Sequence, residues 1–156
     1  MILAFPGMGK TTLAAREKHI VDLSISDIKF DNSSVSHLTK EERKAVPRPI
    51  KDRQYRKTYL NLALQKEKEG YLVLLALHLV LPIFWLLANG VIAEAAIYIP
   101  HPSLLREYQA RFRSRGNNKL FINQVSFVWL TVLPFLWLAS FFLPKLIYVL
   151  GAGQTL

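Results

Sequence analysis

Two glycines, a lysine and a threonine lie close together near the start of the chain, in the octapeptide A-F-P-G-M-G-K-T of residues 4–11. Residues 1–4 are apolar and suit a short buried strand, and the residues that follow the octapeptide suit a helix. Gly7 and Gly9 allow the backbone to turn tightly between these elements and to bring its N–H groups together. The octapeptide therefore predicts a strand, a tight loop and a helix at the start of the fold.

The octapeptide follows the pattern G-x-x-x-x-G-K-[ST], except that Ala4 stands where the pattern has its first glycine. Loops of this kind hold phosphate with backbone N–H groups, a lysine and the start of a helix. We expect Lys10 to reach the outer phosphates and Thr11 to bind Mg²⁺ through its hydroxyl. The alternative is a tight strand–helix turn that carries a surface lysine. The candidate phosphate-binding residues are Pro6, Gly7, Met8, Gly9, Lys10, Thr11 and Thr12.

Length and charge limit what the rest of the chain can be. Its 156 residues suit a single domain, and its net charge of +9 favours nucleotides, nucleic acid or a membrane surface as partners. The absence of cysteine excludes disulfides and thiolate metal sites, and the histidines are not at metal-ligand spacing. The apolar start of the chain has no basic segment before it, so we expect no secretory signal peptide and a cytoplasmic location.

Apolar runs of strand length alternate with helical segments along the chain. Parallel strands joined by helices are covered on both faces and therefore read as continuous apolar runs. The alternation predicts an α/β fold with three layers and about five parallel strands flanked by helices. Strands are expected at residues 1–4, 20–23, 71–77, 91–99 and 146–150. Helices are expected at residues 11–18, 38–45, 50–70, 82–89, 103–115 and 120–142, the last kinked or split at Pro134.

Several segments together carry a resemblance to a known family. They are residues 5–11, 21–26, 71–78, 98–100 and 107–117, and Trp129. With them the chain resembles the small P-loop nucleotide kinases, most closely the adenylate-kinase-like proteins predicted in bacteriophages. The resemblance implies a P-loop NTPase fold that transfers the terminal phosphoryl group of ATP, with Mg²⁺, to a nucleoside or nucleoside monophosphate.

Phosphoryl transfer depends mainly on positioning and on cations that stabilise the charge of the transition state. The resemblance implies that residues 103–119 form a mobile lid whose arginines close on the phosphates. A solvated basic helix, with Glu107 paired to Arg111, is the alternative. The candidate lid arginines are Arg106, Arg111, Arg113 and Arg115.

The acceptor is expected on residues 24–70, a helical insertion after the second strand. Asp22 ends that strand, where ligands gather in open parallel sheets, and it is the candidate acid beside the acceptor; helix capping or a salt bridge is its alternative role. Other candidates are cations for an acceptor phosphate and tyrosines to stack on a base, with a solvated helix as the alternative. They are Arg48, Arg53 and Arg56, and Tyr55 or Tyr59.

Two features depart from the family pattern. Residues 72–81 contain no acid to help position Mg²⁺, and His78, at the end of the third strand, is expected to be structural. Residues 79–88 and 120–143 are apolar nearly all round, so these helices are expected to be deeply buried, to pack against a partner or to touch lipid.

The second departure leaves an alternative function open, that of a small membrane protein with two apolar spans at residues 72–93 and 126–143. Two spans would place the basic segments before and between them on opposite sides, which the positive-inside rule disfavours. Nucleic acid is not an expected partner, because the chain has no helix-turn-helix or RNA-binding signature. The sequence does not determine the oligomeric state.

Overall fold

The computed structural model describes residues 1–39, 42–44, 46–77 and 80–156. Five strands in these ranges form one sheet, and helices lie between them in sequence. The strands are β1 Ile2–Ala4, β2 Ile20–Asp22, β3 Leu72–Ala76, β4 Ala96–Pro100 and β5 Ile147–Leu150. The α-helices are α1 Lys10–Arg16, α2 Ile25–Lys29, α3 Tyr55–Lys68, α4 Val80–Ala88, α5 Leu105–Ser114, α6 Lys119–Thr131 and α7 Leu133–Ser140.

All neighbouring strands pair in parallel, in the order β2-β3-β1-β4-β5. The central strand is β1, in which Ile2 lies opposite Leu74 on one side and Ala96 on the other. The expected α/β class and five parallel strands flanked by helices are confirmed, and the architecture is compatible with three layers. The chain leaves β1 toward β2 but leaves the neighbouring β4 toward β5, and such a point in a parallel sheet opens a crevice where ligands bind.

The central strands are buried because helices cover both of their faces. Leu3, Val73 and Ile97 are inaccessible to solvent, as expected for continuous apolar runs in a parallel sheet. An aromatic cluster extends this core beyond the end of β1. In it the ring of Phe5 meets the ring of Trp129 edge-on, with 5.0 Å between the two ring centroids. The core therefore reaches the residues that begin the candidate phosphate-binding loop.

Some expected helices differ from those observed. Of the expected helix at residues 38–45, residues 40, 41 and 45 lie outside the described ranges, and Glu42–Lys44 form a single 3-10 turn. Thr39 and Glu42 close that turn reciprocally, because the Thr39 N–H donates to Glu42 Oε2 at 2.7 Å and the Glu42 N–H donates to Thr39 Oγ1 at 3.3 Å. The expected split at Pro134 is confirmed, since α6 and α7 are separate helices.

Membrane spans were an alternative interpretation of the apolar segments. Among the described residues no single helix has the length and apolar character to cross a bilayer, although α6 and α7 meet that requirement together as a pair bent by 41°. Residues 72–76, the start of the first candidate span, form the strand β3.

Candidate phosphate-binding site

The loop between β1 and α1 is the turn that its two glycines predict. Gly7 and Gly9 have φ angles of 87° and 90°, in the left-handed region that residues with a Cβ rarely adopt. Gly9 is the N-cap of α1, and its carbonyl accepts the first hydrogen bond of that helix from Leu13. The structure therefore places a sharp change of direction at the carboxyl end of the central strand.

The backbone N–H groups of residues 7–12 have no acceptor among the described residues. In the described part of the protein none of them donates a hydrogen bond, whether to backbone or to a side chain. Unpaired backbone donors must be satisfied by water or by a ligand. The loop thus presents a run of free N–H groups that can donate hydrogen bonds to phosphate oxygens.

Lys10 folds back over this loop. Its Nζ donates hydrogen bonds to the carbonyl oxygens of Ala4, at 2.9 Å, and Phe5, at 3.2 Å. Burial lowers the pKa of Lys10 from 10.5 to about 8, although the charge of Asp22 opposes that change. The ammonium group is therefore held beside the free N–H groups and is incompletely compensated by the protein, so an anion would stabilise it.

Thr11 and Asp22 meet at the same edge of the sheet. The hydroxyl of Thr11 donates to Asp22 Oδ2 at 2.7 Å, which joins the start of α1 to the end of β2. Hydroxyl and carboxylate oxygens suit Mg²⁺, which commonly takes one or two protein ligands and completes its shell with phosphate oxygens and water. No group of three or more His, Cys, Asp or Glu side chains that could hold a metal occurs in the described ranges. The pair fits Mg²⁺ that arrives with a phosphate ligand.

The arginine-rich helix α5 packs directly on the loop. An added Cβ at Gly7 would lie 3.3 Å from the ring of Phe112 and 3.4 Å from the ring of Tyr108. Both rings are buried, and burial raises the pKa of the Tyr108 hydroxyl. Glycine is thus required at position 7 for its backbone angle and also for the space that these two rings occupy.

The candidate lid arginines differ in their surroundings. Arg111 donates from Nη2 to Glu107 Oε1 at 2.6 Å and lies over the ring of Tyr108, with 5.0 Å from its guanidinium carbon to the ring centroid. The Glu107–Arg111 pair named as the alternative to a lid is therefore present. The side chains of Arg106, Arg113 and Arg115 are exposed, and none of them forms an ion pair with a described residue.

A cavity of about 820 Å³ lies between the acceptor-side insertion and the turn that joins α5 to α6. Three cations line it: Lys29, Arg48 and Arg56. Arg48 is already engaged, since its Nη1 donates to Ser26 Oγ at 2.9 Å and to Asn32 Oδ1 at 2.7 Å. The cavity offers cations and an aromatic ring at Tyr55, as the sequence predicts for an acceptor site, whereas Arg53 does not line it.

Tyr59 does not line this cavity. It is 1% exposed, and its hydroxyl donates to the Leu23 carbonyl at 3.1 Å and accepts from the Ala76 N–H at 3.2 Å. Burial raises its pKa to about 12. The hydroxyl ties the ends of β2 and β3 together, a structural role that replaces the expected stacking on a base.

The last residues of the described chain touch the loop, a contact that the sequence reasoning missed. The N–H of Leu156 donates to the Met8 carbonyl at 3.0 Å, and an added Cβ at Gly9 would lie 3.3 Å from Thr155 Cβ. The sequence signals only the turn at residues 151–153, through its two glycines. Nothing in the composition of residues 154–156 indicates what they contact.

His78, named from the sequence as the residue at the end of the third strand, lies outside the described residues. Comparison of the chain with models of protein families, with curated proteins and with solved structures found no match. The resemblance to P-loop nucleotide kinases therefore depends on the residues of this chain alone.

Proposed function

We propose that this chain has a P-loop NTPase fold, binds ATP on residues 6–12 and transfers its terminal phosphoryl group to a nucleoside or nucleoside monophosphate. The observation that carries the proposal is Lys10, whose partly buried ammonium group donates to the carbonyls of Ala4 and Phe5 in the same loop as the unpaired N–H groups. A tight turn with a surface lysine, the alternative, would leave that ammonium in water.

The reaction needs charge compensation more than covalent chemistry from the protein. An oxygen of the acceptor attacks the terminal phosphorus, the bond to the bridging oxygen breaks and ADP leaves. In this proposal Lys10 and the loop amides hold the phosphates, while Asp22 either accepts the acceptor's proton or, with Thr11, holds the metal shell. Mg²⁺, when bound, neutralises phosphate charge and orients the transferred group.

The arginines of α5 are the proposed source of the remaining positive charge. Arg111 is connected to the loop through one side chain, because it lies on Tyr108, whose ring packs on Gly7. Arg113 and Arg115 are exposed and have no ion-pair partner in the described ranges, so they are free to turn toward phosphate oxygens. A single arginine placed in this way is worth about 10³–10⁵ in rate.

The proposed acceptor site is the cavity that contains Lys29, Tyr55 and Arg56. Phe121 and Gln124 line both this cavity and a second one, of about 670 Å³, that extends to Phe5 and Pro6 at the start of the loop. The two cavities therefore share a wall, and the second cavity extends from that wall to the start of the loop.

The first test is the binding of a fluorescent ATP analogue, with Mg²⁺, to the wild type, Lys10→Ala and Lys18→Ala. We expect Lys10→Ala to weaken binding at least about tenfold, since hydrogen bonds to charged groups contribute about 1.5–3 kcal/mol. Lys18 is exposed and follows α1, so Lys18→Ala controls for lost charge. Equal affinity in all three proteins would overturn the assignment of the loop.

The second test is turnover, in which nucleosides and nucleoside monophosphates are supplied with ATP and Mg²⁺ and ADP release is followed. An acceptor bound in the cavity should show a higher KM in Arg56→Ala than in Arg16→Ala, an exposed arginine of α1. If the chain binds ATP but releases no ADP above the background with any acceptor, it is a nucleotide-binding protein and the proposal of a kinase is ruled out.

The alternative of two membrane spans has one observation in its favour, the apolar length of the bent pair α6 and α7. Membrane fractionation distinguishes the two functions. A chain with spans would be recovered only with detergent, whereas the proposed kinase would be recovered without it, either in the supernatant or after a high-salt wash of the membranes.

A further inference from the structure

Large apolar side chains are exposed on three helices that follow β3. Leu81 on α4 is 76% exposed, Phe127 on α6 is 68% exposed and Phe135 on α7 is 73% exposed. Trp85, also on α4, and Phe142, just after α7, are 63% and 84% exposed. A helix on the surface of a water-soluble domain normally turns a polar stripe outward, so this exposure requires an explanation.

Two of these side chains, Leu81 and Phe135, line one groove, and the others lie on the helices that border it or directly after them. The second cavity, of about 670 Å³, is an apolar groove between α4 and the pair α6 and α7. Leu81 lines it from one side, and Val128 and Phe135 line it from the other. We call this surface the apolar face and define it by Leu81, Trp85, Phe127, Val128, Phe135 and Phe142.

Positive charge accompanies the apolar face. No aspartate or glutamate occurs between residues 108 and 156, and Glu94 is the only acidic residue in the sequence of residues 71–105. Lys119 begins α6 and Lys145 follows α7, and both side chains are exposed. Exposed Trp and Phe side chains enter the interface of a bilayer, and lysines at the ends of helices extend their charged groups to its headgroups. The apolar face has both features, because an exposed lysine lies at each end of its helical pair.

We propose that the apolar face docks on the surface of a bilayer with anionic headgroups, with α6 and α7 lying in the plane of the interface. The exposed Trp and Phe rings enter the region between headgroups and acyl chains, where amphipathic helices bind. Lys119 and Lys145 reach the anionic headgroups, because the negative surface potential of such membranes attracts lysine side chains.

Two alternatives, a second copy of the chain on this face and helices that span the bilayer, fit the structure less well. A second copy of the chain would bring the same lysines and the same acid-free margin toward each other, and like charges across an interface are unfavourable. A spanning arrangement needs about 20 apolar residues in one helix, whereas α6 has 13 and α7 has 8. The face is also attached to β3, which lies inside the sheet between β2 and β1.

The test is sedimentation of the whole chain with vesicles of phosphatidylcholine, alone or mixed with phosphatidylglycerol. We expect binding to the mixed vesicles, and at least about tenfold weaker binding by the double variant Phe135→Glu/Phe142→Glu, because each ring that stays in water forfeits its burial. Ile50→Glu is the matched control, since Ile50 is 56% exposed but lies in the acceptor-side insertion. Equal thermal midpoints would show that all variants are folded.

A second pair of substitutions tests the role of charge. Lys119→Gln/Lys145→Gln should weaken binding to the mixed vesicles by about tenfold or more and leave binding to phosphatidylcholine unchanged, because each lysine near an anionic surface contributes about 1 kcal/mol. Failure of the wild type to sediment with either vesicle would overturn the proposal, and a dimer in analytical ultracentrifugation would then assign the face to a second copy. Undiminished binding by the phenylalanine variant would also overturn it.

Discussion

The burial of Lys10 makes a quantitative prediction about stability. In the folded chain the pKa of Lys10 is lowered from 10.5 to about 8 by burial. Between these two pH values the unfolded chain holds a proton that the folded chain has lost, so the free energy of unfolding rises with pH through this window. Below about pH 8 both states are protonated, and the contribution is constant.

Lys10→Met isolates this contribution because methionine does not titrate. Linkage predicts how much the free energy of unfolding of the wild type rises, compared with that of the variant, as the pH increases from 7. The rise is about 1 kcal/mol by pH 9 and about 2–3 kcal/mol by pH 10. Other lysines and the tyrosines titrate in both proteins and cancel in the difference. The direction and the range matter, because a lysine held in a strong surface ion pair has a raised pKa and would lose its stabilising contribution only above about pH 10.5.

The assay is urea unfolding, followed by tryptophan fluorescence, of both proteins at pH 7, 8, 9 and 10. The quantity to compare is the difference between the two free energies of unfolding at each pH. A difference that stays constant across this range would refute the reasoning, since it would mean that the ammonium is solvated and that the loop is an ordinary turn.

Three further predictions concern the affinity for ATP, the backbone at Gly7 and the hydroxyl of Tyr59. The affinity for ATP should fall about tenfold between pH 7 and pH 9 in isothermal titration, because free Lys10 loses its proton near pH 8 while phosphate-bound Lys10 keeps it; an affinity independent of pH would contradict this. In thermal and urea unfolding, Gly7→Ala should destabilise the protein more than Gly116→Ala. Both positions have positive φ, which costs about 1–2 kcal/mol with alanine, but only Gly7 has rings within 3.4 Å of the new Cβ. Tyr59→Phe should cost about 1–3 kcal/mol in urea unfolding, since it leaves the partly buried Ala76 N–H without the hydroxyl, whereas Tyr148→Phe, at an exposed hydroxyl, should cost less than about 0.5 kcal/mol.

The sequence predicts the fold because its local signals and its sheet agree. Each strand except β2 lies in a run of mainly apolar residues, and parallel strands need such runs because both of their faces are covered. The turn at Gly7 and Gly9 is equally local, since only glycine reaches those φ angles without strain. The strand order depends on contacts between distant segments, and no local pattern in this chain specifies it.

The candidate site is predictable to the same extent. Lys10 and Thr11 follow from one motif, and Asp22 from its place at the end of a strand. The contact of Tyr108 and Phe112 with Gly7, and that of Thr155 with Gly9, join positions about a hundred residues or more apart in sequence. Such contacts depend on how whole helices and loops dock, so they become visible only when the chain is assembled.

The two inferred surfaces are joined by one helical hairpin. Helix α5 carries the candidate arginines and rests on the loop through Tyr108 and Phe112, and a turn of four residues connects it to α6, which carries part of the apolar face. Phe5 and Pro6, which begin the loop, line the groove of that face. A bilayer that binds α6 would therefore also restrain α5, the helix whose arginines are proposed to close over the phosphates. If the two sites are coupled in this way, ATP and vesicles must change each other's affinity by the same factor and in the same direction, because coupling between binding sites is reciprocal.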